Sequence, residues 1–507
     1  MDDAGETQVN TIRATVSDDK KKGRNGISIG QWIKLGLKNS AIPRKREDGY
    51  YVRLPWKERY QYLPDNKALA QKRLVSVWAS LRKDVNILNQ YNVFQEQLVN
   101  NIIKIVDETA QTQGNKVHYI SHQPVFTPNK ATTKLRIVFD ASAHYKGIGQ
   151  IAIISDVEKT SLQVRLQKVD RDATRCLWLR DHNSSPTLDN IQTFRFTRVT
   201  FGIKSSPFLL AGTTYYHLDN HTEEAPLCQK IKKNSYVDNL ILTTDTLEDA
   251  VNIYDKSKQL FQEIYMDLRE LTSNNTRLME VIKESDKSTQ QCPKVLGIVW
   301  DESRDMIQLS CHPPIHSDVT KRRVMGTIAA IYDPLGWLVS LLHQAKVFLR
   351  DLWRQQYDWD TPLPADKQQE WHQITNFISG FEKNLPRFLA PKGSTNLLVT
   401  FSDASSNTIA ACVYLYQDNR ANLIMAKSKL PSIQVQYTLP KLELNAMTLA
   451  MRLTNSYFFN LHLLVRFGYV ASHDNPADCG TRGPSKDEFT THFWWTGPQF
   501  LELPPSD

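Results

Sequence analysis

Along this chain the apolar residues switch repeatedly between a two-residue period and a helical one. These are the signatures of half-buried strands and of helices with one buried stripe. Tyr50 to Pro64 predicts an extended segment ending in a turn. Asp65 then caps a helix to about Gln90, with Leu69, Leu74, Val77, Trp78, Leu81, Val85 and Leu88 at helical spacing. A second helix is expected over Val93–Thr109 and a β-hairpin over Val117–Ala141. Strands follow at Ile151–Asp156, Gln163–Leu166, Cys176–Leu179 and Phe194–Val199. Pro207 opens a helix through Leu218, Ser235–Leu242 is strand-like, and a helix begins near Leu247.

Further on, Val295–Trp300 predicts a strand and Lys321–Tyr332 a helix, broken by Asp333-Pro334-Leu335-Gly336. An apolar helix over Trp337–Trp353 and another over Pro364–Leu385 come next, then a linker from Pro386 to Asn396. The last unit shows strands at Leu397–Ser405, Ile409–Gln417 and Ala421–Ser428 and a helix from Pro440 to Asn455. The order strand, acid, helix, strand, acid, strand, helix predicts an α+β fold with helices on one face of an antiparallel sheet.

At 507 residues there is room for two to four domains. Lys+Arg exceed Asp+Glu by 62 to 54, a net charge of +8 that suits a polyanionic partner without singling one out. The first 45 residues are polar, with basic clusters at Lys20–Arg24 and Arg44–Arg46, and are expected to form a disordered tail. The six cysteines include no CxxC pair, which argues against a zinc site or a disulfide framework and suits a reducing compartment. No apolar run reaches 18 residues and no signal-peptide core is seen, so neither a membrane partner nor secretion is expected.

The candidate chemistry lies where strands end in acids. Asp238 interrupts the apolar run Tyr236-Val237-Asp238-Asn239-Leu240-Ile241-Leu242, where a lone buried charge is costly. A tight turn there would place it at a tip, able to meet Asp156 at the end of another apolar strand. Two such acids can hold the metal pair of a phosphoryl-transfer site. Either acid alone reads equally as a surface turn residue. In Lys134-Leu135-Arg136-Ile137-Val138-Phe139-Asp140, Lys134 and Arg136 share a strand face that could grip a triphosphate or simply meet solvent. Gly202 would let a ligand approach the backbone closely. Asp403, Glu443 and Asp478 could converge on a second metal pair, or serve singly as caps and surface groups.

Taken together, these residues resemble the polymerase region of BEL/Pao-type LTR retrotransposons, a family whose Pao domain label carries the word peptidase. The resemblance runs from about Tyr50 to Leu503 and rests on seven motifs in order. They are Lys134–Ser142, Asp156–Lys159, Phe201–Phe208, Tyr236–Asn239, Ile331–Gly336, Leu442-Glu443-Leu444, and Asp474–Asp478 with Trp494–Pro498. The resemblance implies fingers over 46–150, a reverse-transcriptase palm over 151–310, a helical thumb and connection over 311–390, and a truncated ribonuclease H-like domain over 391–507. It implies RNA-directed DNA synthesis with Mg²⁺ or Mn²⁺, an RNA template and DNA primer or an RNA–DNA hybrid, and deoxynucleoside triphosphates. Asp156, Asp238 and Asn239 would hold metal, Lys134 and Arg136 the triphosphate, and Gly202 the nucleotide. Asp403, Glu443 and Asp478 match the ribonuclease H acids. Cytoplasmic particles are implied, while the basic tail permits a nucleus.

The chain also departs from the family pattern. Asn239 replaces a second aspartate, and Ser161 replaces the aromatic residue that blocks a ribose 2′-hydroxyl. Only eight residues separate Ser142 from Ile151, and Leu453–Tyr469 contains no Asp or Glu where a third catalytic aspartate is expected. The resemblance therefore implies a defective ribonuclease H. Beside the polymerase reading stands a second one, a degenerate or co-opted scaffold that binds nucleic acid without catalysis.

Overall fold

The computed structural model describes residues 43–56, 63, 66–91, 93–109, 116–122, 149–158, 160–200, 203, 205–290, 293–295, 297–314, 316, 318–389, 397–457 and 467–502. The candidates Lys134, Arg136 and Gly202, most of the expected 117–141 hairpin, and nearly all of the basic tail lie outside these residues.

Strands β1 (Arg44–Arg46) and β2 (Gly49–Val52) form an antiparallel hairpin. Helix α1 (Lys67–Leu81) buries Ala70, Leu74, Val77, Trp78 and Leu81. It does not continue to Gln90: Arg82–Asp84 interrupt it, Asn66 rather than Asp65 holds the N-cap position, and α2 (Val85–Tyr91) is separate. The helix expected over Val93–Thr109 is replaced by a short α3 (Phe94–Val99) and β3 (Ile103–Ile105). The cause is a Schellman stop at Asn101, whose φ is 53°. Its N–H bonds Leu98 C=O, and the Ile102 N–H bonds Gln97 C=O.

The centre of the molecule begins with β4 (Ile151–Glu158), α4 (Thr160–Gln163), β5 (Arg165–Leu166), β6 (Arg175–Leu179) and β7 (Ile191–Phe196). Then come α5 (Ser206–Asp219), α6 (Ala225–Asn234), β8 (Ser235–Tyr236), β9 (Asn239–Thr244), α7 (Leu247–Gln262), β10 (Asp267–Ser273) and α8 (Thr276–Val281). The order β10-β4-β9-β8 makes an antiparallel four-stranded sheet. Alternation along β4 decides its two faces. Ile151, Ile153 and Val157 join the core formed by α5, α6 and α7. Ala152 and Ile154 point the other way, into the core of the C-terminal half. A second sheet, β3-β7-β6, packs Trp178 against α1 and α3, with Phe94 stacked on it at 5.1 Å.

The C-terminal half starts with β11 (Lys294–Val295), β12 (Ile298–Asp301), β13 (Met306–Cys311), α9 (Lys321–Ala330), α10 (His343–Arg354), α11 (Ala365–Ile378) and β14 (Phe381–Pro386). The helix expected to run to Leu385 stops at Ile378. Gly380, at φ 74°, turns the chain so that β14 adds to β13, completing the sheet β11-β12-β13-β14. The expected boundary at 310 therefore runs through this sheet. The apolar helix expected from Trp337 begins only at His343. Residues 337–342 form buried turns instead, and the Asp333 carboxylate accepts the Leu338 N–H at 2.9 Å.

Last come β15 (Leu397–Ala404), β16 (Ile409–Gln417) and β17 (Arg420–Lys429), an antiparallel meander, then α12 (Leu439–Tyr457), α13 (Pro476–Arg482) and α14 (Lys486–Thr491). The Asp333–Gly336 motif is explained by its contact with β17. The Ala426 N–H bonds Leu335 C=O at 2.8 Å, and a Cβ on Gly336 would lie 1.8 Å from the Ala426 carbonyl oxygen. Tryptophans lock the C-terminal segment down: Trp337 Nε1 donates to Ile424 C=O and Trp494 Nε1 to Trp337 C=O. The described cysteines, Cys176, Cys228, Cys311, Cys412 and Cys479, are buried and free. Among the described residues no helix is long and apolar enough to cross a membrane. Helices and small antiparallel sheets make this an α+β fold.

Candidate active sites

The first site is built by β8 and β9. Ser235 pairs with Leu240 and Tyr236 with Asn239, leaving a two-residue loop of Val237 and Asp238. Val237 takes φ 54°, a left-handed conformation that a β-branched side chain adopts only under strain. The positive φ at the first loop position and not the second is the II′ pattern, whose twist matches a hairpin and which ordinarily uses glycine. The strain thus sits beside Asp238, which is half-buried at the tip.

Strand β9 then aligns on β4, placing Asn239 directly opposite Asp156, and the Val157 N–H donates to Asp238 C=O at 2.7 Å. Directly opposed residues share a face, so Asp156 and Asn239 lie on the side of Ile154 and Ile241. The Asn239 side-chain amide donates to Asp238 Oδ1 at 2.9 Å. Across β10, Arg269 stands opposite Asp156, and it pairs with Asp267 at 3.1 Å and Glu158 at 3.6 Å. Strand β10 and Arg269 were missed from sequence: the two-residue period of Asp267-Leu268-Arg269 is broken by Glu270, which sits at φ 50° where the pairing with β4 shifts register. The residue expected to stand where an aromatic blocks the sugar, Ser161, is buried in α4.

The second site joins β15 to α13. Asp403 is the penultimate residue of β15, and Asp478 lies in the first turn of α13. The Asn475 side chain caps α13 through the Ala477 N–H and donates to Ser402 C=O at 3.1 Å, tying the helix start to the strand end. Thr481 Oγ donates to Asp403 Oδ2 at 2.5 Å. The helix reaches β16 this closely because residue 480 is glycine: a Cβ there would lie 2.8 Å from Ala410 Cβ. Burial pushes the Asp478 carboxyl above its ordinary value. Arg482, 2.9 Å away, opposes this, and the negative charge of Asp403 adds to it. Asp403 and Asp478 are therefore brought within electrostatic reach of each other. Glu443 is not brought in with them. Its neighbour Leu442 takes the inward position on α12, against Ile409 and Ala446, while Glu443 itself is exposed.

Among the described residues, the only set of three or more His, Cys, Asp or Glu with donor atoms within 4.8 Å is His217, His221 and Glu263, also missed from sequence. His217 Nε2 faces Leu260 C=O at 2.9 Å, so it carries the proton there, and Nδ1 accepts from Tyr50 OH at 3.3 Å. His221 Nε2 lies 2.9 Å from Glu263. With both His217 nitrogens engaged, this group caps the end of α7.

The donors at the first site fit a hard divalent cation. Asp156, Asp238 and Asn239 offer only oxygen ligands, and Mg²⁺ is typically held by one or two carboxylates with substrate phosphates completing its shell. Asp403 and Asp478 form a second oxygen pair, one member of which is already hydrogen-bonded by Thr481.

Residues 320–472 match the family model described as Pao retrotransposon-like RNaseH-like domain. No curated protein matches the chain. Among solved structures, a foamy viral protease-reverse transcriptase dRH in complex with double-stranded DNA resembles it at 13% identity and a TM-score of 0.46. That likeness covers 72% of this chain and 60% of the viral one, so the chain spans about three fifths of that protein's length. Residues 320–472, which carry Asp403 and Glu443, are thus similar to the RNaseH-like domain of Pao retrotransposons.

Proposed function

We propose that the body built on the β10-β4-β9-β8 sheet, from Ile151 to Val281, is the palm of a retrotransposon-derived RNA-directed DNA polymerase, and that the RNaseH-like domain after it is inactive as a nuclease. The observation that carries the first part is the pairing of β4 with β9, which sets Asp156 beside the strained Val237-Asp238 tip. Asp156 and Asp238, with the Asn239 amide oxygen, would hold Mg²⁺ or Mn²⁺. Such an ion, when bound, lowers the pKa of a primer 3′-hydroxyl and offsets charge on departing pyrophosphate. The chain's own part is to fix those carboxylates: the β4–β9 ladder sets their spacing, and the Asn239 amide orients Asp238. Lys134, Arg136 and Gly202 are assigned to the incoming nucleotide, and the partners are a primed RNA template and deoxynucleoside triphosphates.

The second part is supported by Glu443, which stays exposed while Asp403 and Asp478 approach each other. Two carboxylates, one tied to a threonine hydroxyl, are a poor replacement for a convergent acid set.

Primer extension on an RNA template with Mg²⁺ tests the reading. Asp238→Ala is expected to cut extension at least about 100-fold, since a metal-bound carboxylate acts mainly in the transition state. Equal background in both proteins would reject the polymerase and leave the non-catalytic scaffold.

A further inference from the structure

One face of the sheet β1-β2-β5 carries an arginine row outside both acid sites. The register sets Arg44 opposite Tyr51, Tyr51 opposite Arg165, and Arg165 opposite Arg198. Directly opposed residues share a face, so these four side chains line up across the strands. Their sequence neighbours Tyr50, Val52, Val164, Leu166 and Val199 are buried in the core below. Arg46, two positions from Arg44, joins the same face and lies over the Tyr51 ring at 4.6 Å. The row spans three strand spacings, roughly 14 Å.

The charge on this face is poorly balanced. Asp48 pairs with Arg165 at 3.2 Å. Among the described residues, Arg44, Arg46, Arg171 and Arg198 have no carboxylate within 4.0 Å, and Asp172 is taken by Arg175 and Arg195. Burial, and then the crowding of neighbouring guanidinium groups, holds Arg171 and Arg198 below their usual pKa. Arg171 Nε is held by Leu166 C=O and Arg198 Nη1 by Leu162 C=O, which fixes their stems in place. A set of positioned guanidiniums around one aromatic ring suits a chain of phosphates with bases able to stack.

We propose that this face binds the sugar–phosphate backbone of a single-stranded nucleic acid, with Arg44, Arg46, Arg165 and Arg198 on phosphates and Tyr51 beneath a base. A duplex keeps its bases stacked on one another and offers none to Tyr51, which is why a single strand is the occupant. The face needs no metal and no chemistry at Asp156 or Asp238, so it stands or falls separately from the polymerase reading.

The test is fluorescence anisotropy of the full chain with a labelled oligothymidylate, in EDTA, across a salt series. Each phosphate contact on a single strand contributes about 0.7 to the slope of log K against log salt. Arg44→Ala with Arg46→Ala is expected to lower that slope by about 1.4 and weaken binding about tenfold at moderate salt. The Arg44→Lys, Arg46→Lys pair retains the slope. Tyr51→Leu weakens binding severalfold at every salt concentration without changing the slope. Unchanged affinity and slope in the alanine pair would overturn the proposal. So would a duplex of equal length that binds as tightly and responds equally to Tyr51→Leu.

Discussion

The two acid pairs are built on the same plan, an aspartate near a strand end with a second one delivered by a neighbouring element, yet their surroundings differ. In the β10-β4-β9-β8 sheet both acids arrive through one pair of strands, so their spacing is fixed by strand pairing. The conformational cost is concentrated in the backbone at Val237, and the side chains next to Asp238 and Asp156 are an amide and a guanidinium. In the C-terminal half the second acid comes on a short helix, docked by Asn475 and by the close approach at Gly480. There a threonine hydroxyl occupies Asp403, and Asp478 is pushed toward its neutral form. The lesson is that proximity alone does not make two carboxylates equivalent to a metal site. One pair is set by strand register, while in the other a threonine hydroxyl holds one acid and burial raises the pKa of its partner.

The largest expected effect separates the two bodies. Gly336→Ala would drive a methyl group into the Ala426 carbonyl and strain φ 73°, costing about 3 kcal/mol or more. Hydrogen exchange should show lost protection in β15–β17 with β9 less affected. Equal loss in both would mean that the shared core of Ala152 and Ile154 makes them one cooperative unit. A smaller effect tests the strained tip. Val237→Gly removes the left-handed penalty at an entropic cost, for a net gain of about 1 kcal/mol in urea unfolding. A loss of stability there would show that the turn carries no strain.

The smallest effect concerns pH. Because the folded state raises the Asp478 pKa above its ordinary 3.8, folding favours its protonated form. Its ionisation therefore costs stability as pH rises through the folded pKa, and the cost vanishes below the unfolded one. Asp478→Asn is expected to raise the Tm slightly at pH 7 and not at pH 3. An equal rise at both would remove electrostatics as the cause.

Several of these features were legible beforehand. The hairpin at Asp238 follows from apolar residues on both sides of an acid, and helices α5, α7 and α12 from their spacing and from Pro207. The errors share a physical origin. Phe381–Pro386 looks like more helix until β13, seventy residues earlier, offers it a ladder. The Val93–Thr109 segment looks helical until Asn101 takes a left-handed turn. Strand β10 carries polar residues because Arg269 pairs with Glu158, distant in sequence, and Asp267 with Lys258 of the preceding helix.

The arginine row and the isolation of Glu443 were likewise invisible in one dimension. Arg44, Arg165 and Arg198 lie far apart along the chain and meet only through strand register. Glu443 and Leu442 are neighbours whose inward and outward roles depend on how α12 rolls against its sheet.

By itself the sequence determined where apolar strands carry an acid near their ends and where proline opens a helix, because these are local consequences of side-chain chemistry and dihedral freedom. Only the tertiary structure decided which acids meet, which arginines share a face and which strand completes each sheet. Those outcomes depend on register and on which buried surface wins among distant segments, and no local pattern encodes that competition.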